Sequence, residues 1–302
     1  MTIKHYSLCG WKVSSSINLP WLQPRVDLGE NPDVIIETGF FPNPDEFPLV
    51  HTVMVNVYPK CAVVDIPGLL RFLVEDGRRV VVEAYPGADP AEFQPFLLGT
   101  GLALLCYQRG LIPLHGCAVS KKGVAIAVLG HSASGKSTLA AALLNRGYRL
   151  ITDGILVLDP VSGLVLPTYP VLKLWKDSAV RFGVSTQDMP RVRKGLEKFS
   201  LQLPEVYQAE PVTIKAIVLL KSSRTALSPS LSRLKAADAM LRLHAFLYGE
   251  RLDRMPGSVA RNFTAFMLLA KQAFFFDIIR TTDSIDFKLS ELMDYIDAAS
   301  ES

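Results

Sequence analysis

The sequence predicts an α/β protein in two parts, a small β-rich domain over residues 1–87 followed by a larger α/β domain over residues 88–302. Short β-branched runs separated by proline, glycine and asparagine turns occupy the first ninety residues, a pattern typical of strands. Further along, apolar strand-like runs alternate with helical periodicities, which indicates a sheet flanked by helices. A glycine-rich loop joins one of these strands to a helix. We place the boundary near Gly87.

The β-rich domain is predicted from four short apolar runs. They are Val34–Ile36, Val53–Val57, Ala62–Ile66 and Val80–Val82. Asp76-Gly77, just before the last run, is a dipeptide that favours the tight turn of a hairpin. The pattern leaves the order of these strands open.

A helix is predicted to begin at Asp89, which can cap it, with Pro90 in the first helical position and Glu92 completing a capping box. We expect a kink at Pro95 and an end at Gly110. Its apolar face is formed by Phe93, Phe96, Leu97, Leu104 and Tyr107.

The rest of the α/β domain alternates strands and helices. Strands are expected over Gly123–Leu129, Tyr148–Thr152, Val212–Leu220 and Phe274–Ile279. Helices are expected over Lys136–Arg146, Pro229–Tyr248, Val259–Lys271 and Glu291–Ala298.

Composition narrows the class of protein. With 49% hydrophobic and 20% charged residues the chain can bury a core, which excludes wholesale disorder. The formal charge of +3, from 32 basic and 29 acidic residues, gives no reason to expect nucleic acid as a partner. The longest apolar segment, Ala265–Ile279, is interrupted by polar residues, and the first residues lack a secretory signal. We therefore expect a cytoplasmic protein with no membrane partner.

Four cysteines are scattered along the chain without a C-x-x-C pair or histidines at metal-ligand spacing. They are Cys9, Cys61, Cys106 and Cys117. This pattern favours reduced thiols over a disulfide framework or a zinc site.

The most informative segment matches G-x-x-x-x-G-K-[ST], the phosphate-binding P-loop, between an apolar strand and a helix. It reads Gly130-His131-Ser132-Ala133-Ser134-Gly135-Lys136-Ser137-Thr138. Glycines let the backbone amides point at phosphate oxygens, and the helix N-terminus adds positive potential. Lys136, expected as a solvent-facing loop charge, would reach the β- and γ-phosphates, and Ser137 could ligate Mg²⁺. His131 would act through its backbone.

Asp153 ends the strand that follows the helix after this loop. We expect that strand to return beside the P-loop strand and, if the two are parallel, to place Asp153 at the same sheet edge as the phosphates. There a carboxylate could support a metal or accept the proton of a substrate hydroxyl. The alternative is a strand-end aspartate that begins the Asp153-Gly154 turn.

Other residues are weaker candidates. His115 precedes the strand that leads to the P-loop, where it could hydrogen-bond near a transferred phosphate, although a lone histidine is more often structural. A set of basic residues could clamp a phosphate or an acidic substrate, although such a run is usually a solvated face. The set is Lys173, Lys176, Arg191, Arg193, Lys194 and Lys198.

These residues together resemble the kinase domain of HPr kinase/phosphorylase, in which a His-Gly segment, a P-loop and a strand ending in two aspartates follow at this spacing. The corresponding segments here are His115–Val119, Gly130–Thr138 and Arg146–Asp153. Residues Tyr6–Leu22, Gln108–His115 and Tyr169–Trp175 are similar to a subgroup from peptide biosynthesis clusters. Some members of that subgroup are lasso-peptide tailoring kinases, which phosphorylate the C-terminal serine of a precursor peptide.

The resemblance implies a P-loop fold of the HPr-kinase/phosphoenolpyruvate-carboxykinase type, although 302 residues are too few for a full carboxykinase. It implies ATP bound by Gly130–Thr138, Mg²⁺ at Ser137 and Asp153, and catalytic roles for Lys136, His115 and Asp153, the last as the base towards a serine hydroxyl. One departure is that Gly154 stands where that family has its second aspartate.

The leading hypothesis is therefore an ATP- and Mg²⁺-dependent serine kinase acting on a precursor peptide or protein, docked by the β-rich domain, for example by strand addition. The alternatives are a small-molecule kinase and a nucleotide-gated binding module without phosphoryl transfer. A homo-oligomer is compatible with the sequence. Because a lone aspartate is ordinarily ionised at neutral pH, we also expect transfer in one direction only, unless Asp159 or another acid replaces the missing carboxylate.

Overall fold

The computed structural model of the chain describes residues 2–26, 31–249, 252, 257–281 and 288–298. Within these residues the fold is mixed α/β, with two nine-stranded sheets and a two-stranded ribbon. All four cysteines carry free thiols. No helix in the described ranges is long and apolar enough to cross a membrane.

The first sheet is formed within residues 4–84 and has the strand order β3-β1-β2-β4-β9-β8-β7-β6-β5. Its strands are β1 Lys4–Leu8, β2 Trp11–Ser15, β3 Gln23–Pro24, β4 Val34–Thr38, β5 Val50–His51, β6 Val55–Val57, β7 Cys61–Ile66, β8 Leu70–Glu75 and β9 Arg79–Ala84. The predicted hairpin at Asp76-Gly77 is confirmed, with φ of 53° and 63° as its tight turn requires.

The segment after the first sheet is helical but irregular. A 3₁₀ turn (Pro90–Glu92), α1 (Gln94–Phe96), a π-helical stretch (Leu97–Gly101) and α2 (Leu102–Gln108) follow one another. Asp89 caps the first turn by accepting the Ala91 amide at 2.9 Å, as predicted. Glu92 accepts the Lys194 amide at 3.3 Å, so it reaches a distant loop. The buried residues of α2 pack on the first sheet, and the division at Gly87 stays a prediction.

The second sheet and the ribbon carry the remaining strands. They are β10 Ile112–Leu114, β11 Gly116–Lys121, β12 Val124–Leu129, β13 Arg149–Asp153, β14 Leu156–Leu158, β15 Leu164–Leu166, β16 Val171–Trp175, β17 Lys198–Gln202, β18 Val212–Ser223, β19 Ser230–Leu234 and β20 Phe274–Thr281. The ribbon is β16 paired with β17. The helices are α3 Lys136–Leu144, α4 Lys176–Arg181, α5 Ala236–Leu243, α6 Ser258–Gln272 and α7 Leu289–Ala298.

The second sheet is covered on both faces, as expected for an α/β layer architecture. Helices α5 and α6 bury Leu243 and Phe266 against one face. Helices α3 and α7 bury Leu139 and Leu292 against the other face. Parallel pairing joins β12 to β18 and β18 to β20, so the carboxyl ends of these three strands meet at one edge.

The expectation that β13 lies beside β12 is wrong. Strand β11 lies between them and pairs antiparallel with both, so β12 and β13 still run in the same direction. The cause is a hairpin at Lys122-Gly123, whose φ angles of 53° and 79° return the chain from β11 into β12.

The single helix predicted over Pro229–Tyr248 is confirmed only from Ala236 to Phe246, as α5 and a following 3₁₀ turn, and is wrong for the residues before Ala236. Ser230–Leu234 is a strand that pairs antiparallel with β20, and the helix α5 begins only at Ala236. Leu231 and Leu234, which suggested a helical stripe, are three residues apart and pack on opposite faces of the sheet. The backbone amides of this segment therefore bond to a neighbouring strand.

Candidate functional site

The loop after β12 has a backbone that depends on glycine. Gly135, which precedes α3, has φ of 105°, and Ala133 has φ of 63°. A Cβ on Gly130 would lie 2.5 Å from the Leu220 carbonyl oxygen of β18. The glycines at both ends of the motif are therefore required by the curl of the loop and by its close approach to the central strand.

Lys136 begins α3 and is only 8% exposed, so the expectation of a solvent-facing charge is wrong. Its Nζ donates to the carbonyl oxygens of Gly130, at 2.6 Å, and His131, at 2.8 Å. Burial lowers the pKa of Lys136 from its ordinary value. The two carbonyls compensate for that burial and hold the ammonium at the mouth of the loop.

Asp153 lies directly against the start of α3. The Ser137 hydroxyl donates to its carboxylate, 2.8 Å from Oδ1 and 3.1 Å from Oδ2. The backbone amide of Lys173 donates to Oδ2 at 2.7 Å. Because β13 runs in the same direction as β12, its last residue emerges at the edge where the loop lies. The carboxylate is 1% exposed and is directed into the site.

His115 stands in the link between β10 and β11, beside the same carboxylate. Its amide donates to the Phe246 carbonyl at 2.6 Å, and its ring packs edge-on to Tyr248 with 5.5 Å between centroids. Burial, and then the positive charge of Lys136, lower the pKa of His115 to about 4. The imidazole is therefore neutral near pH 7, and it can donate one hydrogen bond and accept another.

This pKa predicts a pH dependence of stability. Between about pH 6.5 and pH 4 the unfolded chain protonates His115 and the folded chain does not, so the free energy of unfolding falls as the pH drops through this window. We expect the loss to reach about 2–3 kcal/mol. Urea unfolding across this range checks it, with His115→Gln giving a shallower slope and His51→Gln controlling for the loss of a histidine. Equal slopes for wild type and His115→Gln would contradict the prediction.

A cleft of about 150 Å³ joins these groups. It is lined by His115, Ser132, Ala133, Gly135, Lys136, Ser137, Thr138, Asp153, Gly154, Lys173, Leu174, Trp175, Ser178, Lys198 and Arg280. Lys136, Lys173, Lys198 and Arg280 supply four positive charges, and Asp153 is the one carboxylate among the described lining residues. The volume is below the roughly 300–1,000 Å³ of a typical small-molecule pocket, so the enclosed part suits phosphate groups.

The structure divides the basic residues singled out in the sequence. Lys173 and Lys198 come from the β16–β17 ribbon and line the cleft. Lys176 and Arg191 instead pair with Glu197 at 3.2 and 3.1 Å on the surface. Arg193 lies over the Phe96 ring outside the cleft.

Arg280, near the end of β20, was missed in the sequence. Its Nε donates to the Ser134 carbonyl at 2.8 Å and so holds the glycine-rich loop in place. Strand β20 is separated from β12, the strand before this loop, by β18. The sequence could have suggested Arg280 only through its position near the carboxyl end of a predicted strand, because the carboxyl ends of parallel strands meet at one edge of a sheet.

Ser137 and Asp153 fit a magnesium ion. Mg²⁺ takes hard oxygen ligands and commonly uses one or two protein side chains together with phosphate oxygens. A hydroxyl and a carboxylate 2.8 Å apart, beside a glycine-rich loop, are such a pair. Within the described residues no group of three or more histidine, cysteine or acidic side chains forms a metal cluster, so any metal here would depend on phosphate oxygens as well.

Comparison with known proteins finds short sequence similarities. The chain is 45% identical over 51 residues to "Putative HPr kinase/phosphorylase 2" of Oceanobacillus iheyensis, which is 17% of each protein. It is 37% identical over 57 residues to the HPr kinase/phosphorylase of Clostridium beijerinckii, and 36% identical over 61 residues to that of Clostridium botulinum, 19% and 20% of each protein. The matches thus span about a fifth of these relatives or less.

Among solved structures, the Hpr(Ser) kinase/phosphatase from Coxiella burnetii aligns with 63% of this chain and 90% of its own, at 10% identity and a TM-score of 0.30. No protein-family model matches the chain. The comparisons thus show a local similarity of sequence to HPr kinase/phosphorylases.

Proposed function

We propose that this protein is an ATP- and Mg²⁺-dependent kinase that phosphorylates a serine hydroxyl of a peptide. The observation that carries the proposal is the Ser137–Asp153 hydrogen bond of 2.8 Å at the mouth of a glycine-rich loop, inside a cleft with four cations. A P-loop with a hydroxyl and a carboxylate at one sheet edge is the arrangement that phosphoryl transfer uses. The short similarities to HPr kinase/phosphorylases support the same reaction class.

In the proposed mechanism the loop amides and Lys136 hold the β- and γ-phosphates of ATP. The serine oxygen attacks the γ-phosphorus, the bond from that phosphorus to the β,γ-bridging oxygen breaks, and ADP leaves. Asp153 accepts the serine proton. Ser137 would hold a magnesium ion, which would supply positive charge to neutralise the phosphates. Lys136, Lys198 and Arg280 add fixed positive charge around the transferring group.

The peptide substrate is proposed from the resemblance to lasso-peptide tailoring kinases, carried by residues Tyr6–Leu22, Gln108–His115 and Tyr169–Trp175. The structure brings parts of all three segments close to the cleft: Trp21, His115 and Tyr169 lie around Lys173 or Asp153. We therefore propose a C-terminal serine of a precursor peptide as the acceptor.

The test uses labelled ATP, Mg²⁺ and synthetic peptides that end in serine, with matched peptides that end in alanine. We expect a mass gain of one phosphate on the serine peptides only. Transfer to free serine or another small hydroxyl compound, with none to peptides, would identify a small-molecule kinase. ATP binding without transfer to any acceptor would identify a binding module and contradict the proposal.

We also expect the kinase to run in one direction. Asp159 does not replace the second carboxylate, because it accepts the Val161 amide at 2.9 Å and the Ser162 hydroxyl at 2.7 Å in the β14–β15 turn. With Asp153 as the one described carboxylate of the cleft, no second acid stands ready to return a proton to the serine oxygen. Supplying phosphopeptide and inorganic phosphate should release no pyrophosphate. Clear, Asp153-dependent pyrophosphate formation would show that reversal occurs.

A further inference from the structure

Lys173 hydrogen-bonds to Asp153 through both its backbone amide and its side-chain ammonium. Its backbone amide donates to Asp153 Oδ2 at 2.7 Å, and its Nζ donates to the Asp153 carbonyl at 3.2 Å. Nζ also donates to the Tyr169 hydroxyl at 2.8 Å. Since an ammonium has three N–H donors, these contacts with described residues use two and leave one for a further acceptor. Lys173 lines the same cleft as Lys136 and Ser137.

The residue after Asp153 makes room for this ammonium. Gly154 has φ of +94°, which favours glycine, and a Cβ there would lie 3.0 Å from Lys173 Nζ. The glycine therefore serves both the backbone conformation and the position of the lysine. The ammonium occupies the space into which a side chain at position 154 would project.

Trp21 brings the first part of the chain to this lysine. Lys173 Nζ lies 4.8 Å from the Trp21 ring centroid, and the Trp21 and Tyr169 rings are 5.9 Å apart. The Trp21 backbone amide donates to the Gln94 side chain at 2.9 Å, which fixes the backbone at this position, and the residue is 5% exposed. An indole face attracts a cation most strongly where water is excluded. Trp21 thus holds the ammonium against Asp153.

We propose that Lys173 contacts the transferring phosphoryl group and that Trp21 positions it. This inference rests on the proposed phosphoryl transfer and adds a residue to that site. A fixed ammonium beside the proton acceptor stabilises the negative charge on the phosphoryl oxygens without reorganisation during the reaction. The N-terminal segment is then a structural part of the reaction site.

The first test does not depend on turnover. An acyl-phosphate ester of ATP carries an acyl group on its γ-phosphate and transfers it to an amine within reach. We expect mass spectrometry to find the acyl group on Lys173, with labelling suppressed by excess ATP. Labelling confined to Lys136 or Lys198 would overturn the role of Lys173 while the nucleotide site stands. The absence of any ATP-protected labelling would instead overturn the proposed function itself.

The second test replaces the ammonium and then supplies it from solution. Lys173→Ala should lower kcat for the serine peptides by about 10²- to 10³-fold, with the KM for ATP within about threefold of wild type. Ethylammonium ions should restore part of kcat, which a merely structural role would not allow. Lys215→Ala, which removes a lysine packed on Phe274, is the control. Wild-type kcat in Lys173→Ala, or a folded variant without rescue, would overturn the proposal.

The third test separates Trp21 from a general packing role. Trp21→Leu should lower kcat about 5- to 30-fold, and Trp21→Phe should recover most of it, because an aromatic face returns. Trp11 in β2 is a matched control, since Arg109 lies 4.5 Å from its ring centroid. Equal losses of kcat in Trp21→Leu and Trp11→Leu, at equal changes of Tm, would overturn the positioning role.

Discussion

Lys136→Met is expected to reduce phosphoryl transfer by about 10²- to 10³-fold or more, because it removes a preorganised charge from the cleft that we propose binds the ATP phosphates. Methionine keeps most of the volume of the buried lysine stem, so the packing at the start of α3 should survive. It also leaves the Gly130 and His131 carbonyls without the donor that lies 2.6 and 2.8 Å away, so we expect a modest loss of stability. Transfer from labelled ATP, together with thermal unfolding, measures both effects.

Lys121→Met is the matched control for Lys136→Met. Lys121 Nζ also donates to a backbone carbonyl, that of Arg146 at 2.7 Å, but just beyond the far end of α3 and outside the cleft. The control should therefore lose a similar lysine–carbonyl bond and keep full activity. If Lys136→Met turns over at the wild-type rate, the assignment of the glycine-rich loop to ATP phosphates is wrong.

The proximity of the main candidate site residues could be predicted from the sequence because these residues lie within short segments. The loop motif, the strand before it and the helix after it are contiguous, so Gly130, Lys136 and Ser137 follow from spacing alone. Asp153 could be placed at the same edge from the direction of its strand. That placement required the two strands to run in the same direction, and they do so even though β11 separates them.

The residues that the sequence did not reveal depend on contacts between distant segments. Arg280 contacts the glycine-rich loop from a strand almost 150 positions further along the chain. Trp21, which contacts Lys173, lies between β2 and β3 near the start of the chain. Strands β1 and β2 were missed because half of each strand faces away from the core and carries polar side chains. Propensity alone could not separate β19 from a helix, since the pairing with β20 decides its conformation.

Asp153→Asn is expected to retain ATP binding and to lose about 10²- to 10⁴-fold in transfer, because an amide cannot accept the serine proton. The substitution preserves the shape of a buried side chain. Its remaining oxygen can still accept the Lys173 amide at Oδ2, and its new NH₂ group can donate to the Ser137 hydroxyl, which then acts as an acceptor. The fold of the site should therefore persist.

The variant also separates the two roles that Asp153 could have. Loss of the carboxylate removes the one described negative charge among Lys136, Lys173, Lys198 and Arg280, so the nucleotide phosphates should bind at least as well without metal. If Asp153 is the proton acceptor, kcat falls while the Mg²⁺ concentration for half-maximal activity stays within about threefold of wild type. If it chiefly supports the metal, that concentration rises and saturating Mg²⁺ restores kcat, which would contradict its role as the base. Asp159→Asn, at a turn aspartate outside the cleft, should change neither quantity.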